Sequence, residues 1–278
     1  MQRILSARHL TDYRTHLLEE EKSPATVEKY LRDTGAFAAY TAGKPVTKEL
    51  VIAYKQQLVE KNYALRSVNS MLAGVNSLLS FLGWEDCKVK ILRCQRQTYC
   101  REDRQLTKED YLRLLAASRK QPRLNLILQT ICATGIRISE LKYFTVEAVR
   151  SGEVSVRCKS KTRRILVPGK LKRLLLDYAK RQRINSGILF RTRGGNPLDR
   201  SNIWQQMKAL CKTAGVNPGK VFPHNLRKLF ARTFYSMEKD LAKLADILGH
   251  GSIETTRIYI MTTGTEHRRK LDRLGLVV

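Results

Sequence analysis

Apolar residues recur at helical spacing through the first 84 positions. Val27, Tyr30, Leu31, Thr34 and Phe37 share one face, and Ser23-Pro24 ahead of them predicts an N-cap followed by proline in the first turn. Leu50, Val51, Tyr54 and Leu58 mark a second helix from about Thr47. Val68, Leu72, Val75, Leu78 and Leu79 mark a third, from about Arg66 to Leu82. Three or four short amphipathic helices of this kind predict a small bundle over residues 1–84.

The pattern then breaks. Residues 85–104, EDCKVKILRCQRQTYCREDR, are polar, basic and without clear periodicity, which predicts an interdomain linker. Beyond it, Thr107 and Asp110 have the spacing of a capping box, and an apolar helical stretch runs into TICATGIRISELKYF. The period next changes from helix to strand. Val154, Val156 and Cys158 alternate with polar residues, a charged turn follows, and Ile165-Leu166-Val167 comes after it. This predicts an antiparallel hairpin. Further helices are expected from about Lys170, Asn202, His224, Asp240 and Ser252, with a short strand possible at Ile188-Leu189-Phe190. The expected fold is mostly α: an N-terminal helical bundle over 1–84, a linker over 85–104, and an α-rich domain with a small antiparallel β-sheet over 105–278.

Charge narrows the function. The 278 residues hold 52 Lys and Arg against 25 Asp and Glu, a net +27, and an excess of that size points to a polyanionic partner. A membrane surface is the weaker candidate, because no apolar run approaches the ~20 residues of a spanning helix and the N-terminus lacks a signal-peptide core. A ribosome-associated or simply soluble basic protein has the same balance, so charge alone leaves nucleic acid as one reading among several. The six cysteines, Cys87, Cys94, Cys100, Cys132, Cys158 and Cys211, form no C-x-x-C pair and no zinc-ligand spacing with histidine; they are expected to be reduced cytosolic thiols, with Cys132 in a core helix. No metal and no cofactor is expected.

Four separated segments carry polar groups beside apolar helix or strand signals. They are TGIRISEL around Arg137, the hairpin with Lys159 and Lys161, HNLR with His224 and Arg227, and LGH with His250, followed nine positions later by Tyr259. Together they supply what metal-free cleavage of a phosphodiester requires. Two guanidinium forks neutralise the non-bridging oxygens. A lysine or histidine protonates the leaving oxygen. Cations around a tyrosine help it ionise, since a free phenol of pKa ~10 is about 99.9% protonated at neutral pH. Each piece has a plain structural alternative. Arg137 could pair with Glu140, the hairpin turn could be merely solvated, and Tyr259 could be one half-buried tyrosine among eleven.

The four segments, in this order, resemble the pattern of the tyrosine recombinase, or phage integrase, family: T-G-x-R-x-x-E-L, a hairpin lysine, H-x-x-R, and L-G-H with a tyrosine nine residues on. The resemblance covers nearly the whole chain, is most similar to the compact Xer-type members, and implies that the N-terminal bundle is a core-binding domain that clamps double-stranded DNA together with the catalytic domain. It implies that Arg137 and Arg227 hold the scissile phosphate, Lys159 protonates the leaving 5′-hydroxyl, His224 acts as acid or base, His250 binds phosphate, and Tyr259 attacks to give a 3′-phosphotyrosyl link. It also implies a cytoplasmic, nucleoid-associated enzyme working as a homotetramer through a Holliday junction. The apolar C-terminal tail (Leu274, Leu276, Val277, Val278) would be exchanged between protomers, with accessory DNA-bending proteins as further partners. Two positions depart from the family pattern. Lys159 lies nine residues and Lys161 seven before Pro168, where the family spacing is eight, so Lys161 remains a rival acid; and Lys228 stands where histidine is common. Asp246 is a candidate supporting residue. A type IB topoisomerase uses similar chemistry, and a DNA-binding architectural protein has the same charge; the complete residue set argues against the second.

Overall fold

The structure is a computed structural model that describes residues 3–93, 99–158 and 161–276; side chains are not described for Cys158 and Lys161. The chain divides into two compact units, Met1–Arg96 and Gln97–Val278.

In the first unit the periodic segments form α1 (Ala7–Glu19), α2 (Pro24–Thr41), α3 (Lys48–Glu60) and α4 (Leu65–Phe81). The apolar stripes meet in one core that includes Tyr13, Leu17, Phe37, Val51, Leu72 and Leu78. Thr47 caps α3 by accepting from the Leu50 N–H. Ser23 occupies the N-cap position of α2, ahead of the proline, but its hydroxyl bonds the Thr26 hydroxyl at 2.8 Å rather than a backbone N–H. The fold here exceeds the expectation for residues 85–104. Residues 85–93 lie on the first unit, held by two asparagines of α4. Asn76 and Asn69 each exchange two hydrogen bonds with the backbone, of Val89 and of Leu92 respectively, at 2.7–3.1 Å. Side chains thus supply the partners that a strand would have found in a sheet.

In the second unit α5 (Lys108–Ala117) starts on the reciprocal capping box of Thr107 and Asp110. It is followed by α6 (Pro122–Thr134), a 3₁₀ segment Ile138–Tyr143, α7 (Val146–Ser151), β1 (Glu153–Cys158), β2 (Lys161–Leu166), α8 (Gly169–Arg181), α9 (Arg200–Ala214), α10 (Pro223–Glu238), α11 (Leu241–Leu248), α12 (Ile253–Ile260) and α13 (Gly264–Asp272). β1 and β2 pair antiparallel from Glu153↔Leu166 to Cys158↔Lys161, and Val154, Val156 and Ile165 face the core. Lys159 lies outside the described residues, as do Cys94, Val277 and Val278. Ile188–Phe190 does not form a strand. Only Ile188 bridges, to Thr145, while Leu189 and Phe190 are buried as loop residues. Cys100 belongs to this unit, its N–H donating to Thr262 O at 2.9 Å. Cys87, Cys100, Cys132 and Cys211 are free thiols, and Cys132 is partly buried against the core with burial raising its thiol pKa to about 12. Among the described residues no helix is long and apolar enough to cross a membrane.

Gly135 ends α6 at φ +64°, and a Cβ there would come within 2.4 Å of the Phe230 ring on α10. The close approach of α6 and α10, on which the site below depends, therefore requires glycine on both conformational and steric grounds. Gly135→Ala is expected to cost about 1–3 kcal/mol in urea unfolding, the range for overpacking; unchanged stability would contradict this packing.

Candidate active site

Three chain breaks between helices aim the polar side chains at one place. Gly135 turns the chain out of α6, so that Arg137 sits at the entrance of the 3₁₀ segment. Glu140, buried, closes that segment by accepting from the Arg137 N–H at 2.7 Å and from Arg137 Nη1 at 3.1 Å. His224 and Arg227 lie three apart in the first two turns of α10 and so share a face. Gly249 ends α11 in the left-handed conformation, φ +63°, and delivers His250; Ser252 then caps α12, near whose end Tyr259 sits.

Arg227 is the largest side chain to be fully buried, 1% exposed. Its guanidinium donates to Gly135 O, to Leu248 O at 2.7 Å and to His250 Nε2 at 3.0 Å, and it stands 5.7 Å from the Tyr259 ring centre. Arginine has only donors, so His250 Nε2 must accept. The proton of neutral His250 is thereby assigned to Nδ1, which donates to the buried Thr256 hydroxyl at 2.9 Å. Tyr259 is 6% exposed and packs edge-on between the rings of His224 and His250, at 4.8 and 4.7 Å. Its hydroxyl is 3.4 Å from His224 Nδ1, a long contact of the kind that tightens only when substrate binds.

The site is cationic. Burial, reinforced by Lys228, Arg227 and Arg137, lowers the His224 pKa to about 4; burial, reinforced by Arg227, Arg137 and Arg163, does the same to His250. Burial and the neighbouring Arg137 lower Arg227 to about 10, which leaves it charged at neutral pH. Such a cluster, with two neutral histidines and a tyrosine hydroxyl at its centre, suits a negatively charged group that none of these residues provides. No group of His, Cys, Asp and Glu among the described residues could hold a metal ion.

The structure brings together Arg137, His224, Arg227, His250 and Tyr259, all in the second unit; Lys159 is outside the described residues, and the Lys161 side chain is not described. Asp246 is exposed on α11, and the carboxylate that binds Arg137 and Arg163 is Glu140. Two participants escape the sequence reading. Thr256 sets the His250 tautomer. Arg163 of β2 binds Glu140 Oε2 at 2.6 Å and Leu248 O at 2.7 Å. Thr256 lies one helical turn before Tyr259, which was a usable signal; Arg163 gave none beyond its place in a basic hairpin.

A tyrosine hydroxyl among arginines and histidines on this α-rich scaffold defines a phosphoryl-transfer enzyme of the tyrosine class. The chain belongs to the phage integrase family, enzymes that break and rejoin DNA in site-specific recombination: residues 104–265 match that family, and residues 10–86 match the phage integrase N-terminal SAM-like domain. It is 27% identical to tyrosine recombinase XerA of Pyrococcus furiosus over 284 aligned positions, covering 99% of this chain and 97% of that protein. Its fold is similar to that of XerH recombinase bound to difH (TM-score 0.71, 18% identity, covering 96% of this chain and 84% of that one). It is also similar to lambda integrase in a tetramer bound to a Holliday junction (TM-score 0.74, 17% identity, covering 93% and 77%).

The lowered histidine pKa values have a defined stability signature. Between about 4 and the ordinary 6.5 the unfolded chain binds protons that folded His224 and His250 refuse, so the free protein loses stability as pH falls through that window. Thermal melts at pH 7 and pH 5 should show a smaller drop for the His224→Gln/His250→Gln variant than for wild type; equal drops would contradict the assignment.

Proposed function

We propose that Tyr259 is the nucleophile of DNA strand cleavage. Its phenolic oxygen attacks the scissile phosphorus and the 5′-oxygen leaves, so that one phosphoester replaces another and no external energy source is needed to reverse the step. His224 accepts the tyrosine proton. Arg137 and Arg227 neutralise the non-bridging oxygens, with losses of roughly 10²–10³ in rate expected on removing such a contact. His250 takes up a proton at Nε2 once an anion displaces the Arg227 contact, and then donates to the phosphate. The hairpin lysine, Lys159 with Lys161 as rival, protonates the leaving 5′-oxygen. The observation that carries this reading is the meeting of Arg227, His224 and His250 around one buried tyrosine.

The first unit, matching the SAM-like N-terminal domain, is assigned to DNA binding as a core-binding domain, and residues 105–278 to catalysis. Exchange of strands requires four active sites, which supports a homotetramer; lambda integrase forms one on a Holliday junction. The exposed Leu274 and Leu276 make the C-terminal segment the candidate for contact between protomers. A DNA partner, as the Xer recombinase relatives imply, supports action in the cytoplasm on the nucleoid, with accessory bending proteins as further partners. Type IB topoisomerase activity is not favoured, since Xer recombinases match end to end.

A nicked suicide duplex carrying the protein's own site should trap a covalent adduct with wild type and none with Tyr259→Phe. An adduct with the Phe variant would overturn the nucleophile. On a 5′-bridging phosphorothiolate, whose leaving group needs no proton, the variant lacking the true acid should recover: Lys159→Ala if Lys159 is the acid, Lys161→Ala if its rival is. Recovery of neither would remove the hairpin lysines from the acid role. Binding should weaken steeply between about 50 and 200 mM salt as counterions are released; a flat response would contradict the DNA reading.

A further inference from the structure

Arg163 stands where the site's separate pieces meet. It lies on β2, leaving the hairpin tip, and its side chain is 15% exposed. One arm of its guanidinium donates to Glu140 Oε2 at 2.6 Å and the other to Leu248 O at 2.7 Å. Glu140 is the carboxylate that orients Arg137, and Leu248 O also accepts from Arg227. Gly249 is shaped to this contact: a Cβ there would lie 2.5 Å from Arg163 Nη1.

Glu140 already has a cation in Arg137, so charge balance alone does not call for a second. A third guanidinium in fact adds repulsion, and Arg163 is among the charges that lower both Arg227 and His250. We propose that Arg163 is a positioning residue that holds Arg137, through Glu140, and Arg227, through the Leu248 carbonyl, at a fixed mutual spacing that matches the two non-bridging oxygens of one phosphate. Two acceptors on different elements require the rigid two-armed fork; the single ammonium of lysine reaches one of them. Displacement of a phosphate clamp by ~1 Å costs about 10²-fold in rate.

The inference rests on the tyrosine-cleavage reading, and its test separates the two. Arg163→Ala, Arg163→Lys and wild type are compared in the full chain for duplex affinity, melting temperature and single-turnover adduct formation on the nicked substrate. Arg163→Ala should bind DNA within about threefold of wild type and form adduct about 10²-fold more slowly. Arg163→Lys, which keeps the charge and serves if the Ala variant fails to fold, should recover less than about a tenth of the lost rate. In an Arg137→Ala background, removing Arg163 should cost less than about a fifth as much, since one of the two groups whose mutual spacing it fixes is gone. The Arg163→Ala defect should persist on the 5′-bridging phosphorothiolate. A wild-type rate for Arg163→Ala, full recovery by lysine, an additive cycle with Arg137→Ala, or rescue by the phosphorothiolate would each overturn the inference. Failure of wild type itself to form an adduct on a mapped site would instead overturn the cleavage reading.

Discussion

Three guanidinium groups converge on one carboxylate and two adjacent backbone carbonyls. Arg163 and Arg227 share Leu248 O, Arg137 reaches Gly249 O at 3.4 Å, and Glu140 binds Arg137 and Arg163. Like charges held this close repel, and one carboxylate does not offset three cations. The cost shows in the titration of the neighbours, where Arg227 falls to about 10 and both histidines to about 4, burial being the first cause and the arginines the next. The rest of the second unit serves to hold this arrangement. α6 and α10 approach closely enough to bury Arg227 because Gly135 has no side chain, and the α11–α12 turn presents two carbonyls because Gly249 adopts a left-handed conformation beside Arg163.

Such a cluster is stable only because the fold over-determines it, and a phosphodiester is the ligand that reverses its sign. A bound phosphate would turn the repulsion among the arginines into attraction and favour protonated histidine where the free protein keeps it neutral. Tyr259 lies among the same groups, its ring edge-on to both histidines and its hydroxyl facing His224. In the proposed mechanism, phosphate binding and readiness of Tyr259 as nucleophile are thus coupled through shared side chains rather than through a separate device.

Much of this was legible in the chain. The three-residue offset of His224 and Arg227 fixes a common helix face, the glycine before Arg137 and the one before His250 mark helix ends, and the hairpin announces itself by its change of period. What periodicity cannot show is a side chain that acts between elements distant in sequence. Arg163 reads as one more charge in a basic hairpin, yet its partners lie 23 and 85 residues away. Asn69 and Asn76 read as polar positions of an amphipathic helix, yet they bind a stretch whose basic composition suggests a free linker. Ile188–Phe190 has strand-like residues, but among the described residues it pairs with a loop and not with a strand: Ile188 bridges Thr145 and the Leu189 N–H donates to Phe144 O. The three-residue spacing suggests a Glu140–Arg137 pair; that Glu140 also serves Arg163 follows only from the fold.

The central claim is that the arginine cluster exists to hold one phosphate. The direct measurement is a binding cycle in the Tyr259→Phe background, using a duplex whose scissile phosphate is replaced by a neutral methylphosphonate and a second duplex with the same change one position away, each with and without Arg137→Ala. The account predicts that neutralising the scissile phosphate weakens binding with Arg137 present and changes it little once Arg137 is removed, while the neighbouring change is independent of Arg137. Equal, additive effects at both positions would contradict it.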